Sequence, residues 1–475
     1  MNLRELLDGV AAVRQDVWIS SLVCDSRAVT AGCLFVCIDG VDTDGHRFAA
    51  EALANGAAAV VVGKDLGLPQ QILVPDTRRA WALLSANWFG RPAKRLRVVG
   101  VTGTNGKTST TYLLAQMLEA CGYTVGLIGT VAHRIGYRTV PSASTTPDAY
   151  ELQRLLAEMA DEGCDFAVME VSSHALHQQR VAGIRFAAGI FTNLTQDHLD
   201  YHRTMEAYCD AKRLLFLQSD CAVAQKSDRW TARMTASLPC PVRLFSSSEG
   251  GDVCAKAVSY RPDGVEFTVC ADNREQRVRL PIPGEFSVSN ALGAIAAALA
   301  LGLPFDAVCG AVPYMRGVKG RAEVVPTDTD FTVLIDYAHT PDGLEQICRA
   351  LQHGLTGRLF VLFGCGGDRD KGKRPQMGAI AARYADLTVV TSDNPRSEQP
   401  DDIIDDILRG IPPGTPTAVI PDRAEAIRWV LTQAKTGDTV LLAGKGHETV
   451  QIVKNTVLPL DERRIVTEAL QRKKD

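Results

Sequence analysis

Lys107 and Thr108 follow Gly103-Thr104-Asn105-Gly106 and precede Ser109, in a run that separates two stretches of different periodicity. Before it, Leu96, Val98, Val99 and Val101 are apolar and mostly β-branched, as in a buried strand; after it, Leu113, Leu114, Met117 and Leu118 recur at helical spacing. Glycines let the backbone turn tightly enough for successive N–H groups to face one anion, and the helix adds the positive end of its dipole. Phosphate is the guest this chemistry selects. The Lys107 ammonium would reach β- and γ-phosphates and the Thr108 hydroxyl a magnesium ion. The spacing is a variant of the strict phosphate-loop pattern, because Gly100 stands one residue too early and Val101 holds the first glycine's place. A glycine turn that only packs is the alternative, and it gives no reason for a lysine and a threonine at those two positions.

Other polar clusters directly follow apolar runs. Glu170 follows Phe166-Ala167-Val168-Met169, and Thr192 to His198 follows Gly189-Ile190-Phe191. A carboxylate and an imidazole leaving two strands beside the phosphate loop suit a divalent cation; one such residue alone is more often a helix cap or a hydrogen-bonded polar group. Ser144-Thr145-Thr146-Pro147-Asp148 precedes a helical stretch, where capping competes with ligand binding. Lys212, among Leu214, Leu215 and Phe216, has by itself the surroundings of a snorkelling lysine. Near the start, Asp25-Ser26-Arg27 and the loop from Asp42 through His46 to Phe48 are either solvated turns or a polar ligand site. Near the end, Asp336-Tyr337-Ala338-His339, Gly364 to Asp370, Asp393-Asn394-Pro395-Arg396 and Gly444-Lys445-Gly446-His447-Glu448 each lie just past an apolar run. Four such clusters on one sheet edge mark a binding face.

Alternating strands and helices are what would position these groups. Strands are expected at Cys33–Ile38, Ala57–Val62 and Ile72–Val74, with a helix at Phe48–Asn55; then strands at Val125–Ile128, Phe166–Met169 and Gly189–Phe191, with a helix at Asp148–Met159. Alternation and turns at Pro262-Asp263-Gly264 and Asp272-Asn273 predict antiparallel hairpins over residues 253–281, followed by a small-residue helix containing Asn290. From Arg321 a further series has strands at Thr332–Ile335, Leu359–Phe363, Leu387–Thr391, Ala418–Ile420 and Val440–Leu442. The class is α/β with three domains: a small α/β domain over 1–90, a mostly parallel phosphate-loop sheet with helices over 91–320, and a Rossmann-like α/β domain over 321–475. A chain of 475 residues exceeds one hydrophobic core.

Net charge −4 argues against nucleic-acid binding by bulk electrostatics. Arg4, Glu5, Asp8, Arg14 and Asp16 interrupt what would be the apolar core of a signal peptide, and no run has the length and apolarity to span a bilayer. A cytoplasmic monomer is expected. Its 13 cysteines form no C-x-x-C pair, so buried thiols in a reducing compartment explain them, and a metal at Cys33 and Cys37 lacks a second Cys/His pair. The QRKKD tail is expected to fray.

GTNGKT, EVSSHAL, TNLTQDHLDYH, AKRLLF, GRAEVV, DYAHTPDGLE, FGCGGDRDKGKRP, DNPR and AGKGHE, in this order, resemble the Mur ligases of peptidoglycan synthesis over essentially the whole chain. Within that family they are most similar to the members that add meso-diaminopimelate to UDP-N-acetylmuramoyl-L-alanyl-D-glutamate. The resemblance implies an N-terminal domain for UDP, a central ATPase and a C-terminal domain for the amino acid. It implies catalytic roles for Lys107, Glu170, His198 and Lys212, with magnesium held by Thr108, Glu170, His198 and Lys212 carbamylated to N6-carboxylysine. It implies ATP contacts from Gly103 to Ser109 and from Asn290, Arg321, Asp336 and His339. Ser26, His46, Ser144, Thr145, Thr146, Ser172, Gln178 and Arg180 match the UDP-muramoyl-dipeptide contacts. Arg369, Asp393, Asn394, Pro395, Arg396, Gly444 and Glu448 match the diaminopimelate set. The phosphate-loop variant is the family's own.

That chemistry is consistent with the residues. The γ-phosphoryl of ATP would pass to the D-glutamyl γ-carboxylate, and the diaminopimelate amine would attack the acyl phosphate and expel phosphate. Alternatives are the same ligation with L-lysine, a folylpolyglutamate synthase, and, from another class, a nucleotide switch. Diaminopimelate carries a second carboxylate and ammonium at its far end, which suit Arg396 and Glu448. Arg396→Ala is therefore expected to raise the KM for diaminopimelate far more than that for ATP; equal rises in steady-state kinetics would show that the arginine does not read the distal carboxylate.

Overall fold

The computed structural model describes residues 1–471 except 13–15, 41, 42, 143, 262 and 353. Arg14 of the amino-terminal stretch, Asp42 of the polar loop, Pro262 of the hairpin turn and 472–475 of the tail lie outside the described residues. The chain packs as two units, Met1–Phe245 with Gly293–Pro304, and Ser246–Leu292 with Phe305–Asp475.

The first unit contains two sheets. The smaller has four parallel strands in chain order, Leu22–Val23, Leu34–Val36, Ala59–Val62 and Gln71–Leu73, so the three expected strands are present and gain an edge partner. The helix expected at Phe48–Asn55 starts as a 3₁₀ turn at Gly45–Phe48, capped by Asp44, and continues as Ala49–Ala54. Helix Thr77–Trp88 is capped by Asp76, whose carboxylate accepts from the N–H groups of Arg78 and Arg79. Its Asn87 amide, buried, donates to the carbonyls of Leu6 (2.8 Å) and Asp8 (2.9 Å) and so ties the amino-terminal segment to the helix. Trp81 and Tyr150 stack at 5.8 Å and carry the packing on to helix Ala149–Asp161 of the larger sheet.

In that larger sheet six parallel strands run in the order Val242–Ser246, Ala222–Gln225, Phe186–Phe191, Arg97–Thr102, Phe166–Glu170, Val125–Ile128, and an antiparallel hairpin, Ala132–Ile135 with Arg138–Pro141, follows. Periodicity did not suggest this hairpin. Helices cover both faces of the parallel strands, which is why Val98, Val99 and Val101 can be apolar in succession and all buried. The topology also aims the polar clusters. The strand feeding the phosphate loop lies between the two strands that feed Glu170 and Thr192–His198, with Val101 opposite Glu170 and Thr102 opposite Phe191.

The second unit contains the antiparallel strands Val253–Arg261, Gly264–Ala271 and Arg274–Leu280, as the hairpin alternation predicts. Its main sheet has the order Glu323–Val325, Thr332–Asp336, Thr439–Ala443, Leu359–Phe363, Leu387–Val390, Thr417–Val419, parallel except for the first strand. The five expected strands are all present. Alternate residues serve two cores: Leu359, Val361 and Phe363 pack with Leu344, Met377 and Ile404, while Phe360 and Leu362 pack with Ile427, Val430 and Val466. A small hairpin, Val450–Val453 with Thr456–Pro459, follows the last glycine-rich cluster. No described helix is long and apolar enough to cross a membrane. Cys33 and Cys37 are buried among apolar side chains, whereas Cys24 is exposed.

An ion pair joins two helices of the second core: Arg423 donates to Glu462 at 2.8 Å and to the Ala443 carbonyl at 2.8 Å, with both side chains fully buried. Removing one partner leaves the other charge unpaired in the interior. Glu462→Leu is expected to destabilise this unit by about 3–5 kcal/mol, read in a urea titration followed by Trp429 fluorescence on the Arg423–Gln433 helix; a change below about 1 kcal/mol would show that the pair contributes little.

Candidate active site

The phosphate loop is fixed by two glycines and a clasp. Gly103 has φ +150° and Gly106 φ +82°, and a Cβ at 103 would lie 1.9 Å from Thr192 Oγ1. The segment after strand Phe186–Phe191 wraps the loop. Thr104 N–H donates to Asn193 O (2.9 Å), Asn105 N–H to Asn193 Oδ1 (3.0 Å), and the Thr192 hydroxyl to Asn105 O (2.6 Å). Lys107, first residue of helix Lys107–Ala120, folds back to donate to Gly103 O (2.9 Å) and Thr104 O (2.7 Å). Asn105 is exposed at the tip, and Ser109 is half-buried in the first helical turn.

Lys212 reaches the same carbonyl from helix Met205–Leu217: its Nζ, fully enclosed, donates to Gly103 O at 2.8 Å and lies 4.5 Å from the centre of the Tyr208 ring. Burial, reinforced by the nearby Lys107 charge, pushes the Lys212 pKa well below the usual lysine range. It is therefore no surface snorkeller. Tyr208 OH in turn lies 3.3 Å from Thr104 Oγ1.

Glu170, fully buried, accepts from Thr108 Oγ1 (2.9 Å), Thr130 N–H (2.7 Å) and Thr130 Oγ1 (3.1 Å). The network extends outward: Thr130 and Thr145 hydroxyls meet at 3.0 Å, Thr146 donates to the Glu170 carbonyl (2.9 Å), and Ser172 N–H donates to Thr146 Oγ1 (3.0 Å). Arg180 donates to Thr146 O (2.9 Å) and to Gln178 Oε1 (2.7 Å). Thr145, Thr146, Ser172, Gln178 and Arg180 are thus brought together. Ser172 also caps helix Ser173–His177, while Ser144 is exposed at the rim.

His198 leaves the other flanking strand as expected, but its ring is exposed and lies 3.3 Å from the Asp197 carboxylate. No group of three His, Cys, Asp or Glu side chains poised for a metal forms among the described residues. Sequence reasoning missed the company His198 keeps. Its ring is 4.8 Å from His174, and His202 packs 5.1 Å from Tyr208 with Nε2 2.9 Å from Ser173 Oγ. Burial pushes the pKa of His202 down to about 4, so it is neutral at pH 7. The signal was the repeated aromatic and histidine spacing in HLDYH, directly before Lys212's helix.

In the small sheet, His46 has both nitrogens engaged: Nδ1 faces Asp44 at 2.6 Å and Nε2 accepts from Gly63 N–H at 2.8 Å, which fixes the proton on Nδ1. His46 thereby fastens its loop to a strand end rather than offering its ring. Ser26 opens a short 3₁₀ turn capped by Asp25 and is half-buried.

The second unit brings its own clusters together. Lys445, fully buried, donates to Asp393 Oδ1 (3.2 Å), Asn394 Oδ1 (3.0 Å) and Glu448 Oε2 (3.1 Å), and Asn394 Nδ2 donates to the same Glu448 oxygen at 2.9 Å. Lys445 was not among the expected site residues, although it stands between two glycines at a strand end. Arg396 sits at φ +51°, half-buried, and donates to Gly367 O at 2.7 Å. The close approach has a cause: a Cβ at 367 would lie 1.9 Å from Pro395 O, so this turn of the GCGGD segment must be glycine. Gly444, at φ +109°, is likewise close to Asp393, with a Cβ 3.2 Å from Oδ2. Arg369 is exposed and, among the described residues, donates to the carbonyl of its neighbour Asp368 (3.1 Å).

Asp336 organises the adjoining loops, accepting from Ala322 N–H (2.6 Å) and Ala338 N–H (2.7 Å). Arg321 lies 4.8 Å over the Tyr337 ring, and His339 Nδ1 donates to the Tyr337 carbonyl (2.9 Å). Asn290 is buried in helix Glu285–Ala300.

This site geometry has counterparts in known proteins. Residues 101–298 match the Mur ligase middle domain, 320–446 the Mur ligase, glutamate ligase domain, and 19–79 the Mur ligase family, catalytic domain. The chain is 45% identical to the UDP-N-acetylmuramoyl-L-alanyl-D-glutamate--2,6-diaminopimelate ligase of Gloeobacter violaceus, over 100% of this chain and 99% of that protein. To the ligase of the same name from Geobacillus thermodenitrificans it is 44% identical, over 96% of each. A solved structure of UDP-N-acetylmuramoyl-L-alanyl-D-glutamate--2,6-diaminopimelate ligase superposes with a TM-score of 0.79 at 33% identity, covering 100% of this chain and 99% of that one. A phosphate loop clasped by its neighbouring strand's turn, a buried acid on the other side, and full-length identity at this level lead to one conclusion: the chain belongs to the Mur ligase family.

Proposed function

We propose that this chain ligates meso-diaminopimelate to UDP-N-acetylmuramoyl-L-alanyl-D-glutamate at the expense of ATP, forming ADP and phosphate, in cytoplasmic peptidoglycan precursor synthesis. The observation that carries this is the cluster in the second unit, where Asp393, Asn394 and Glu448 converge on Lys445 beside a half-buried Arg396. A distal ammonium suits the Glu448 carboxylate, and a distal carboxylate suits the guanidinium in bidentate geometry. L-lysine would leave that guanidinium without its anion. We assign 1–90 to the uridine end of the substrate, 91–320 to ATP and 321–475 to the amino acid, in a chain that acts as a monomer.

The loop amides from Gly103 to Ser109 and Lys107 would hold the triphosphate, with Asn290, Arg321, Asp336 and His339 as further nucleotide contacts. Lys107 donates to two loop carbonyls, bonds that its ammonium would exchange for phosphate oxygens. Thr108 and Glu170 are adjacent hard oxygen donors, a set that fits magnesium, which takes few protein oxygens and keeps its waters; His198 and the Lys212 carbamate would complete it. Magnesium there would neutralise phosphate charge. Ser144, Thr145, Thr146, Ser172, Gln178 and Arg180 would orient the dipeptide, and Ser26 with the His46 loop the uridine end. The D-glutamyl carboxylate would take the γ-phosphoryl, and the amine held in the second unit would then displace phosphate.

Burial depresses the Lys212 pKa and so favours the neutral amine that attack on carbon dioxide requires: the amine nitrogen forms the bond to carbon and a proton leaves. Turnover is expected to fall in buffer stripped of carbon dioxide and return with bicarbonate, and ¹³C-bicarbonate should give a carbamate resonance missing in Lys212→Arg; full activity of that variant would remove the carbamate from the mechanism. Offered meso-diaminopimelate, L-lysine and L-ornithine side by side, the enzyme is expected to prefer the first by about 100-fold or more, with phosphate release requiring both the muramoyl dipeptide and the amino acid. Phosphate release independent of an amine would favour a nucleotide switch.

A further inference from the structure

We propose that Lys445 is a specificity-determining positioning residue: its buried ammonium balances the pocket so that it accepts an amino acid end bearing both charges and disfavours one bearing only an ammonium. This rests on the assignment of Asp393, Asn394, Arg396 and Glu448 to diaminopimelate.

Three observations carry it. Lys445 is fully buried, and its three N–H donors meet three acceptors, Asp393 Oδ1, Asn394 Oδ1 and Glu448 Oε2, at 3.0 to 3.2 Å. An ammonium has three donors, so this one is saturated and its position is fixed. The cage is also ordered beyond the lysine. Asn394 Oδ1 takes a second bond from Ile452 N–H (3.0 Å), which settles which end of the amide is oxygen and forces Nδ2 toward Glu448. Glu448 therefore carries two donors on Oε2, while Oε1 takes none from the described residues and the side chain keeps 29% of its surface exposed. One carboxylate oxygen is anchored and the other is presented.

Charge then decides the selectivity. Asp393 and Glu448 contribute two negative charges, Lys445 and Arg396 two positive ones, and the four sum to zero. A far end that is itself a zwitterion adds no net charge and can pair each of its groups. A far end with only an ammonium adds one positive charge beside an Arg396 that has no anion to meet, an unpaired arrangement that costs affinity. Without Lys445 the same four positions carry a net negative charge, which suits a lone ammonium better. Glu448 would also lose the bond that holds Oε2, so diaminopimelate binding should weaken.

Lys445→Met keeps the volume and removes the charge. It is expected to raise the KM for diaminopimelate by about 10- to 100-fold with a much smaller change in kcat, leave the KM for ATP within about twofold, and lower the diaminopimelate-to-lysine ratio of kcat/KM by about tenfold or more. Ethylammonium supplied to Lys445→Ala should restore diaminopimelate binding, an outcome that a merely structural role would not produce. An unchanged ratio in Lys445→Met, or KM values for ATP and diaminopimelate that rise together, overturns the proposal. If Lys445→Met does not fold, Lys445→Arg carries the test: it is expected to keep the preference because it keeps the charge, and loss of preference there also overturns it. Wild-type enzyme that fails to ligate diaminopimelate at all would instead sink the substrate assignment.

Discussion

A carboxylate with no exposed surface, Glu170, is the constraint around which the first unit's site is built. Its charge is kept in the interior by hydrogen bonds from Thr108 and from both donors of Thr130. A buried charge requires that its donors stay in place, because losing one exposes the full desolvation cost. The first turn of the phosphate-loop helix, the end of strand Val125–Ile128 and the end of strand Phe166–Glu170 are thereby held in one register. Thr145, Thr146, Ser172 and Arg180 extend that order outward from the buried acid.

On the other side of the same loop the constraint is steric and electrostatic. Gly103 cannot carry a side chain, since Thr192 occupies the space, and its carbonyl receives two lysines. Two ammonium groups on one oxygen repel each other, and one of them is fully enclosed. Burial pushes down the pKa of the more enclosed one, Lys212. A parallel sheet with the loop strand at its centre makes this arrangement possible, because both flanking strands end at the same edge.

Much of this was legible in the sequence, for reasons that can be named. Parallel strands buried on both faces are continuous apolar runs, so Val125–Ile128 and Leu359–Phe363 were bounded correctly, and glycine-rich or charged clusters past such runs were correctly placed at one edge. The hairpin Ala132–Pro141 was not seen, because His133, Arg134, Arg138 and Thr139 dilute its alternation and one face is exposed. His46 was legible as a polar group in a loop beside a strand end but not as a loop fastener, since only coordinates show that Gly63 N–H meets its second nitrogen. Lys445 was overlooked for the opposite reason: a lysine between glycines looks like a solvated turn, and its complete burial comes from Asp393, Asn394 and Glu448, two of them some fifty residues away in the chain.

Arg396 occupies a backbone conformation, φ +51°, that a residue with a Cβ adopts only at a cost of about 1 kcal/mol or more. Glycine or asparagine would fit that bend with less strain and hold the turn more firmly. If thermal robustness were the sole pressure on this protein, arginine would be a poor tenant there. Its presence marks a place where the fold gives up some of its own firmness to hold a half-buried guanidinium against the Gly367 carbonyl, and any programme that hardens the enzyme by relaxing strained turns meets this trade at position 396.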